Sequence, residues 1–135
     1  MNKTLSATLF LTCTLPMVAF AADNCSTHRH SLVDNADYNI WSTVTCPHRP
    51  VAKHTHAHPR VLIPNDNGTL RVTYADKPLG KDNPRNFKLK KDKPIYLDYN
   101  EGKDMHTDEV LGDSPLTVLV VELKTHSNYS PPLTT

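Results

Sequence analysis

The stretch that decides the fold is residues 59–74, with the sequence PRVLIPNDNGTLRVTY. In its second half, apolar side chains at positions 70, 72 and 74 alternate with polar or charged ones at 69, 71 and 73. A period of two places the two sets on opposite faces of a strand. Residues 65–68, NDNG, have the composition of a tight turn. The stretch therefore predicts two half-buried strands joined by a turn.

The same organisation extends along the chain on both sides of this stretch. Apolar residues occur in short runs separated by turn residues, and no segment keeps a helical period, which is typical of an all-β protein. Residues 116–123 are almost continuously apolar, as in a strand covered on both faces. About eight strands in one small domain predict a sandwich or barrel, because such closure removes exposed sheet edges. The alternating positions taken as inward-facing are Tyr38, Ile40 and Val44, then Phe87 and Leu89, then Ile95, Leu97 and Tyr99, with Trp41 and Tyr96 expected as core or wall aromatics.

The N-terminal residues have the features of a secretion signal. Lys3 supplies a positive charge, residues 5–20 are largely apolar, and residues 19–21, AFA, offer a small-x-small cleavage site. The apolar run is shorter than the roughly 20 residues of a membrane-spanning helix. We therefore predict that residues 1–22 are cleaved and that the protein is periplasmic or secreted. Residues 23–126 then form a single domain, and residues 127–135 form a loose, proline-containing tail.

Charge and cysteine content narrow the environment of the domain. The chain has 15 basic and 14 acidic residues, and this balance argues against a nucleic-acid partner or an anionic membrane surface. Cys13 leaves with the predicted signal, so Cys25 and Cys46 remain as a pair in an oxidising compartment. A disulfide between them is the expected arrangement and would contribute roughly 3 kcal/mol by the chain-entropy estimate. Two unpaired thiols are the alternative.

A histidine cluster is the strongest chemical signal. His54, His56 and His58 occupy alternate positions in residues 53–58, KHTHAH. Neighbouring alternate side chains on a strand lie about 6.5–7 Å apart, so two of them can converge on one ion, whereas three in a row span about 13 Å. Pro59 makes His58 the one expected to diverge. His106, just after a turn at Gly102, is the best distant third ligand. The alternative is a solvated stretch that binds metal only adventitiously.

The residues around this cluster resemble those of a known family. His54-x-His56, followed after four residues by Val61 and after six more by Gly68, is similar to the first cupin motif. The segment from position 94 through Gly102 to His106 is similar to the second motif. The resemblance covers about residues 30–124, including the turns and strands at 59–73 and 112–124. It is to small single-domain bacterial cupins of the RmlC-like type.

This resemblance implies a jelly roll, or double-stranded β-helix, with His54, His56 and His106 around a divalent metal inside the barrel. The ion would be Fe, Zn, Cu, Ni or Mn. Val61 stands where the first motif has a metal-binding Glu and Val110 where the second has Asn, so carboxylate-dependent chemistry is in doubt. His58, Tyr99 and Asp108 lie close to these histidines in the sequence and are the candidates for additional ligands or proton-transfer groups.

Two classes of function follow from these features. The first is a small-molecule metalloenzyme of the oxygenase or isomerase type. The second is a non-catalytic protein of the cell envelope that binds a ligand or a metal. Similar proteins often dimerise, so a homodimer is also implied. Lys53 and Arg60 flank the cluster and could bind an anionic ligand, but charges at a strand end are expected to face solvent.

Overall fold

The computed structural model describes residues 24–124 and contains nine strands and one short 3-10 helix at Tyr99–Glu101. The predicted signal, residues 1–22, and the predicted tail, residues 127–135, lie outside the described residues. No helix within residues 24–124 has the length and apolar content to cross a membrane. The strands are β1 (His28–Asp34), β2 (Tyr38–Thr45), β3 (Val51–His54), β4 (Arg60–Pro64), β5 (Gly68–Tyr74), β6 (Arg85–Leu89), β7 (Ile95–Leu97), β8 (His106–Leu111) and β9 (Leu116–Leu123).

Two antiparallel sheets make up the domain. One has five strands in the order β1-β2-β9-β4-β7, and the other has four in the order β3-β8-β5-β6. From β2 to β5 and from β6 to β9 the chain alternates between the two sheets, so most neighbours in a sheet are distant in sequence. This arrangement confirms the expected all-β, double-stranded β-helix architecture.

The core lies between the facing sides of the two sheets. Alternation along each strand brings one apolar set inward, and the buried cluster contains residues from both sheets. The predicted inward positions of β5 are confirmed, since Leu70, Val72 and Tyr74 are buried. The cluster as a whole is Trp41, Leu62, Leu70, Val72, Tyr74, Leu89, Leu97, Val110, Leu116, Val118 and Val120, with Phe87 and Ile95 packed against it.

The inward face of β2 is the opposite of the predicted one. Trp41 and Thr45 are buried, whereas Tyr38 is exposed and Ile40 and Val44 are half-buried. Both faces of this strand carry apolar side chains, so alternation alone did not distinguish them. Burial of the indole, the largest apolar group of the strand, accounts for the observed orientation.

One further expectation was wrong, and one strand was not predicted. Tyr96, expected in the core or wall, is 61% exposed on the short strand β7. Strand β1 was not predicted, because all seven of its residues are exposed and carry no alternating apolar pattern. Pairing with β2 forms this strand, which the local sequence does not reveal.

A disulfide attaches the start of the described chain to the end of β2. Cys25 and Cys46 are bonded, with their Cα atoms 5.8 Å apart, which confirms the predicted pairing. The Thr27 hydroxyl accepts a hydrogen bond from the backbone N–H of Cys46 at 2.9 Å. The bridge and this bond hold the N-terminal segment against the barrel.

Candidate metal centre

Three histidines meet inside the barrel where strands β3 and β8 lie side by side. His54 is the last residue of β3 and pairs directly with His106, the first residue of β8. His56 lies two residues beyond β3, where its backbone N–H donates to the Gly102 carbonyl at 2.8 Å. One ligand atom from each histidine lies within 4.8 Å of the other two. The expectation that His106 joins the HxH pair in one hollow is therefore confirmed.

Two of the three imidazoles are oriented through their Nδ1 atoms. His54 Nδ1 lies 2.8 Å from the Ala52 carbonyl oxygen, and His106 Nδ1 lies 2.7 Å from that of Asp104. A carbonyl only accepts, so these nitrogens carry the proton and Nε2 keeps its lone pair. His56 Nδ1 faces a Glu122 carboxylate oxygen at 3.7 Å. The lone pair that a metal needs is thus left on Nε2 of His54 and His106, whereas the distance between His56 and Glu122 is too long for a hydrogen bond that would fix the tautomer of His56.

Burial keeps two of these rings neutral. His56 is 7% exposed and His106 is 1% exposed. Burial is the main cause that lowers the pKa of both imidazoles below the usual 6.5, with neighbouring positive groups, including Arg60, acting in the same direction. Neutral imidazole is the form that ligates a metal. At neutral pH, His56 and His106 are therefore in the form that can ligate a metal ion.

Two carboxylates reach the histidines, although neither occupies the motif position. Asp108 Oδ2 lies 3.5 Å from His54 Nε2, and its Oδ1 lies 3.9 Å from His106 Nε2. Asp108 follows His106 by two positions on β8 and so points to the same face. Burial opposes ionisation of Asp108 and Glu122, but their histidine partners hold the pKa of each carboxyl below its ordinary value. Carboxylates therefore lie beside the histidines although Val61 stands at the motif position.

Glu122 was missed at the sequence level. It continues the inward series Leu116, Val118 and Val120 on β9, so the period of two that marks the core also points its side chain inward. The period of two in the sequence could therefore have identified Glu122, but the whole of this apolar strand was interpreted as core.

The residue that faces inward after the HxH pair is Arg60, not Val61. On β4, Arg60, Leu62 and Pro64 are buried, whereas Val61 is only half-buried on the opposite face. The expectation that Arg60 faces solvent was wrong, since it is 5% exposed. Val110, at the motif's Asn position, is an ordinary core residue at 4% exposure. A cation therefore faces the interior at the residue next to Val61, the position at which the resemblance implies a carboxylate.

The donor set fits a divalent ion. Three imidazoles suit Fe, Zn, Cu or Ni. Bonds of about 2.1 Å place two nitrogens of a tetrahedral site about 3.4 Å apart, so rings whose ligand atoms are within 4.8 Å need only small rotations to close on an ion. Asp108 could fill a further position or receive a hydrogen bond from a bound ligand.

The other two predicted candidates lie away from the triad. His58 is half-buried beyond His56 and does not line the cavity. Tyr99 is 49% exposed on the 3-10 helix and does not line the cavity. Proximity in sequence to a motif did not place either side chain in the hollow.

A cavity opens beside the histidines. Its volume is about 50 Å³, several times the roughly 10–15 Å³ that one water needs. The walls combine apolar core side chains with a few polar groups, which is the usual composition of a small-molecule site. The polar and aromatic walls include Arg29, Trp41, His54, His56, Arg60, Glu101 and Asp108.

Comparison with known proteins supports the fold and no more. No model of a known protein family matches the chain, and no curated protein matches it either. Among solved structures, a cupin domain from Bordetella pertussis Tohama I is 14% identical, with a TM-score of 0.61, over 73% of this chain and 94% of that one.

Two further solved structures show the same likeness. An RmlC-like cupin family protein with a double-stranded β-helix fold from Methanocaldococcus jannaschii is 19% identical, with a TM-score of 0.55, over 77% of this chain and 85% of that one. An uncharacterized conserved protein with a double-stranded β-helix domain from Klebsiella pneumoniae is 15% identical, with a TM-score of 0.53, over 75% of this chain and 79% of that one. Residues 24–124 therefore have the cupin-type double-stranded β-helix fold.

Proposed function

We propose that this protein is an exported metalloprotein that binds one divalent cation through His54, His56 and His106 and presents it to a small molecule in the barrel. The observation that carries the proposal is the convergence of three imidazoles from two chain segments, with their ligand atoms within 4.8 Å of one another. Three protein ligands leave further coordination positions for water or a small molecule, as in catalytic sites and unlike closed structural ones.

The surrounding residues have distinct roles in this proposal. The Ala52 and Asp104 carbonyls fix the His54 and His106 rings, and Glu122 places a negative charge 3.7 Å from His56 Nδ1. Trp41 stacks on His56, with ring centroids 5.9 Å apart and planes 7° from parallel, and so shields that ligand from solvent. A bound divalent ion would act as a Lewis acid toward a ligand oxygen.

A metalloenzyme of the oxygenase or isomerase type is the second candidate. It is favoured by Asp108, an ionised carboxylate that lines the cavity beside two of the Nε2 atoms. A carboxylate in that place could take a proton from a bound substrate. The alternative is a non-catalytic ligand- or metal-binding protein, and the two are distinguished by whether the metal-loaded protein converts a ligand that it binds.

Export and partners belong to the same proposal. The signal features of residues 1–22 and the Cys25–Cys46 disulfide support a periplasmic or secreted location. The proposed partner is a small molecule, with no nucleic acid or membrane surface, and the protein is proposed to form a homodimer. Cell fractionation and sedimentation of the processed chain test these points.

Metal content of the exported protein tests the central proposal. Elemental analysis is expected to give one divalent ion per chain. Changes behind a metal ligand already cost about 10–100-fold in affinity, so His54→Ala and His106→Ala are each expected to cost at least about 100-fold. The measurement is competition with a chelator, and circular dichroism confirms folding.

His30→Ala is the matched control, since His30 is an exposed histidine on β1. It is expected to keep the wild-type affinity. Equal metal binding by His106→Ala and the wild type would contradict the assigned site.

A further inference from the structure

We propose that the barrel cavity binds a small carboxylate anion, with the buried guanidinium of Arg60 as its recognition group. This inference rests on the proposed metal site, which supplies the second anchor for such a ligand. Its own evidence is independent of the histidines and comes from hydrogen-bond donors in the cavity wall that have no partner.

Arg60 is an unpaired buried cation. It is 5% exposed, and its Nη1 has no hydrogen-bond partner within residues 24–124. Its Nη2 reaches only the Glu101 carbonyl, at 3.4 Å. The Glu101 carboxylate is instead paired with Arg85. Among residues 24–124, Asp108 and Glu122 act on Arg60 as nearby negative charges but form no ion pair with its guanidinium. Burying a charge without a partner is among the costliest arrangements in a protein, which points to a partner supplied from outside the chain.

A second donor in the same cavity is also unpartnered. Trp41 is 2% exposed, lines the cavity, and has no partner for its indole Nε1–H among the described residues. Indole N–H is a donor only. Two buried donors without acceptors around one cavity indicate a ligand that brings acceptor oxygens.

The charge of the cavity favours an anion over a neutral acceptor. Arg29 lies over the Trp41 ring, 4.4 Å from its centroid, and lines the cavity as a second cation. With Glu101 neutralised by Arg85, the carboxylates of Asp108 and Glu122 are left against Arg29, Arg60 and the proposed divalent ion. The balance is positive. A guanidinium matches the two oxygens of a carboxylate in geometry and charge, and the cavity volume of about 50 Å³ limits the ligand to a small one.

The backbone around Arg60 is shaped to hold the guanidinium in place. A Cβ atom at Gly102 would lie within 3.0 Å of Arg60 Cζ, so the absence of a side chain there makes room for the buried group. Arg60 also lies between Leu97 and Glu122 in the five-stranded sheet. The guanidinium is therefore built into the wall rather than folded back from the surface.

The single tryptophan of the chain provides the assay. Zinc-loaded protein is titrated with acetate and, separately, with acetamide, its neutral analogue, while the Trp41 indole N–H resonance is followed by NMR. Acetate is expected to shift the resonance in a saturable way, at least about tenfold more tightly than acetamide, because its hydrogen bonds to Arg60 are charge-assisted. Equal responses to the two compounds would overturn the proposal, even if no Arg60 variant folds.

Substitutions separate this inference from the metal site. Arg60→Met is expected to weaken acetate binding at least about tenfold and to leave zinc affinity within about threefold of wild type. Arg71→Met is the matched control, since the Arg71 Nε also lacks a partner but its side chain does not line the cavity. It should bind acetate like the wild type.

The metal-free protein distinguishes the two failures. If the wild type binds no zinc, the metal proposal fails, but the acetate titration of that protein still tests Arg60. Unchanged acetate binding by Arg60→Met, with or without zinc, would overturn the anion site while leaving the metal site intact.

Discussion

At the scale of single residues, the site depends on a close approach at Gly102. Its carbonyl accepts a hydrogen bond from His56, and a Cβ at this position would lie 2.9 Å from the His56 Cβ. Ordinary backbone angles are available to any residue here, since Gly102 has φ −138°. The requirement for glycine is therefore one of space, on the side where the metal ligand and the buried cation pack.

Gly102→Ala is expected to move His56 and Arg60 apart. The added methyl overpacks a buried contact, which typically costs about 1–3 kcal/mol of unfolding free energy, and zinc affinity should fall with the displaced ligand. Urea unfolding and chelator competition measure the two effects. Gly80→Ala is the control, because nothing lies within 4 Å of a Cβ there. Wild-type behaviour of Gly102→Ala in both measurements would show that the approach is not needed.

At the scale of elements, the least self-sufficient strand is β1. All of its residues are exposed, and its ladder of partners runs along β2. The Cys25–Cys46 bridge closes a sequence separation of 21 residues between the segment before β1 and the residue after β2. A cross-link of this length is worth about 3 kcal/mol when it restricts the unfolded chain.

The double variant Cys25→Ser, Cys46→Ser is expected to lose about 3 kcal/mol of unfolding free energy. Hydrogen exchange should also rise first in the amides of β1, since pairing with β2 is then its main restraint. Urea unfolding and exchange of the metal-free protein measure both. Reductant should destabilise the wild type by a similar amount and leave the double variant unaffected. Equal midpoints for the oxidised wild type and the variant would show that the bridge adds nothing.

At the scale of the whole molecule, titratable groups in the barrel interior make the free energy of unfolding depend on pH. In the metal-free protein, His56 and His106 are buried, and burial lowers the pKa of both below 6.5. The unfolded chain therefore takes up protons on these groups first as the pH falls. The stability they contribute is present above pH 6.5 and is lost progressively below it.

Metal-free protein is thus expected to lose stability from about pH 6.5 downward, by at most about 1.4 kcal/mol per pH unit for each histidine. Asp108 and Glu122 add to the loss at lower pH, because the pKa of each carboxyl is held below its ordinary value. Thermal or urea unfolding between pH 7.5 and 5 measures the slope. His106→Asn should flatten it, whereas the exposed-site variant His30→Asn should not. A stability that rises on acidification over this range would contradict the buried neutral rings.

The sequence by itself determined the fold class and most of the candidate metal site. Alternation with a period of two predicts strands because successive side chains of a strand point to opposite faces. On β5 this alternation predicted the buried residues correctly. The HxH spacing and a distant histidine after a turn were enough to predict His54, His56 and His106. These features are local, so the sequence carries them directly.

Only the tertiary structure decided which cations and carboxylates enter the hollow. Arg60 and Glu122 belong to different strands that pair in the five-stranded sheet, and Trp41 reverses the apparent face of β2. Whether each of these side chains faces the interior depends on which side of its strand the opposite sheet covers. Contacts between segments far apart in the chain determine that side. Residue spacing can place a side chain on one of two faces, but only packing of the second sheet makes that face the interior.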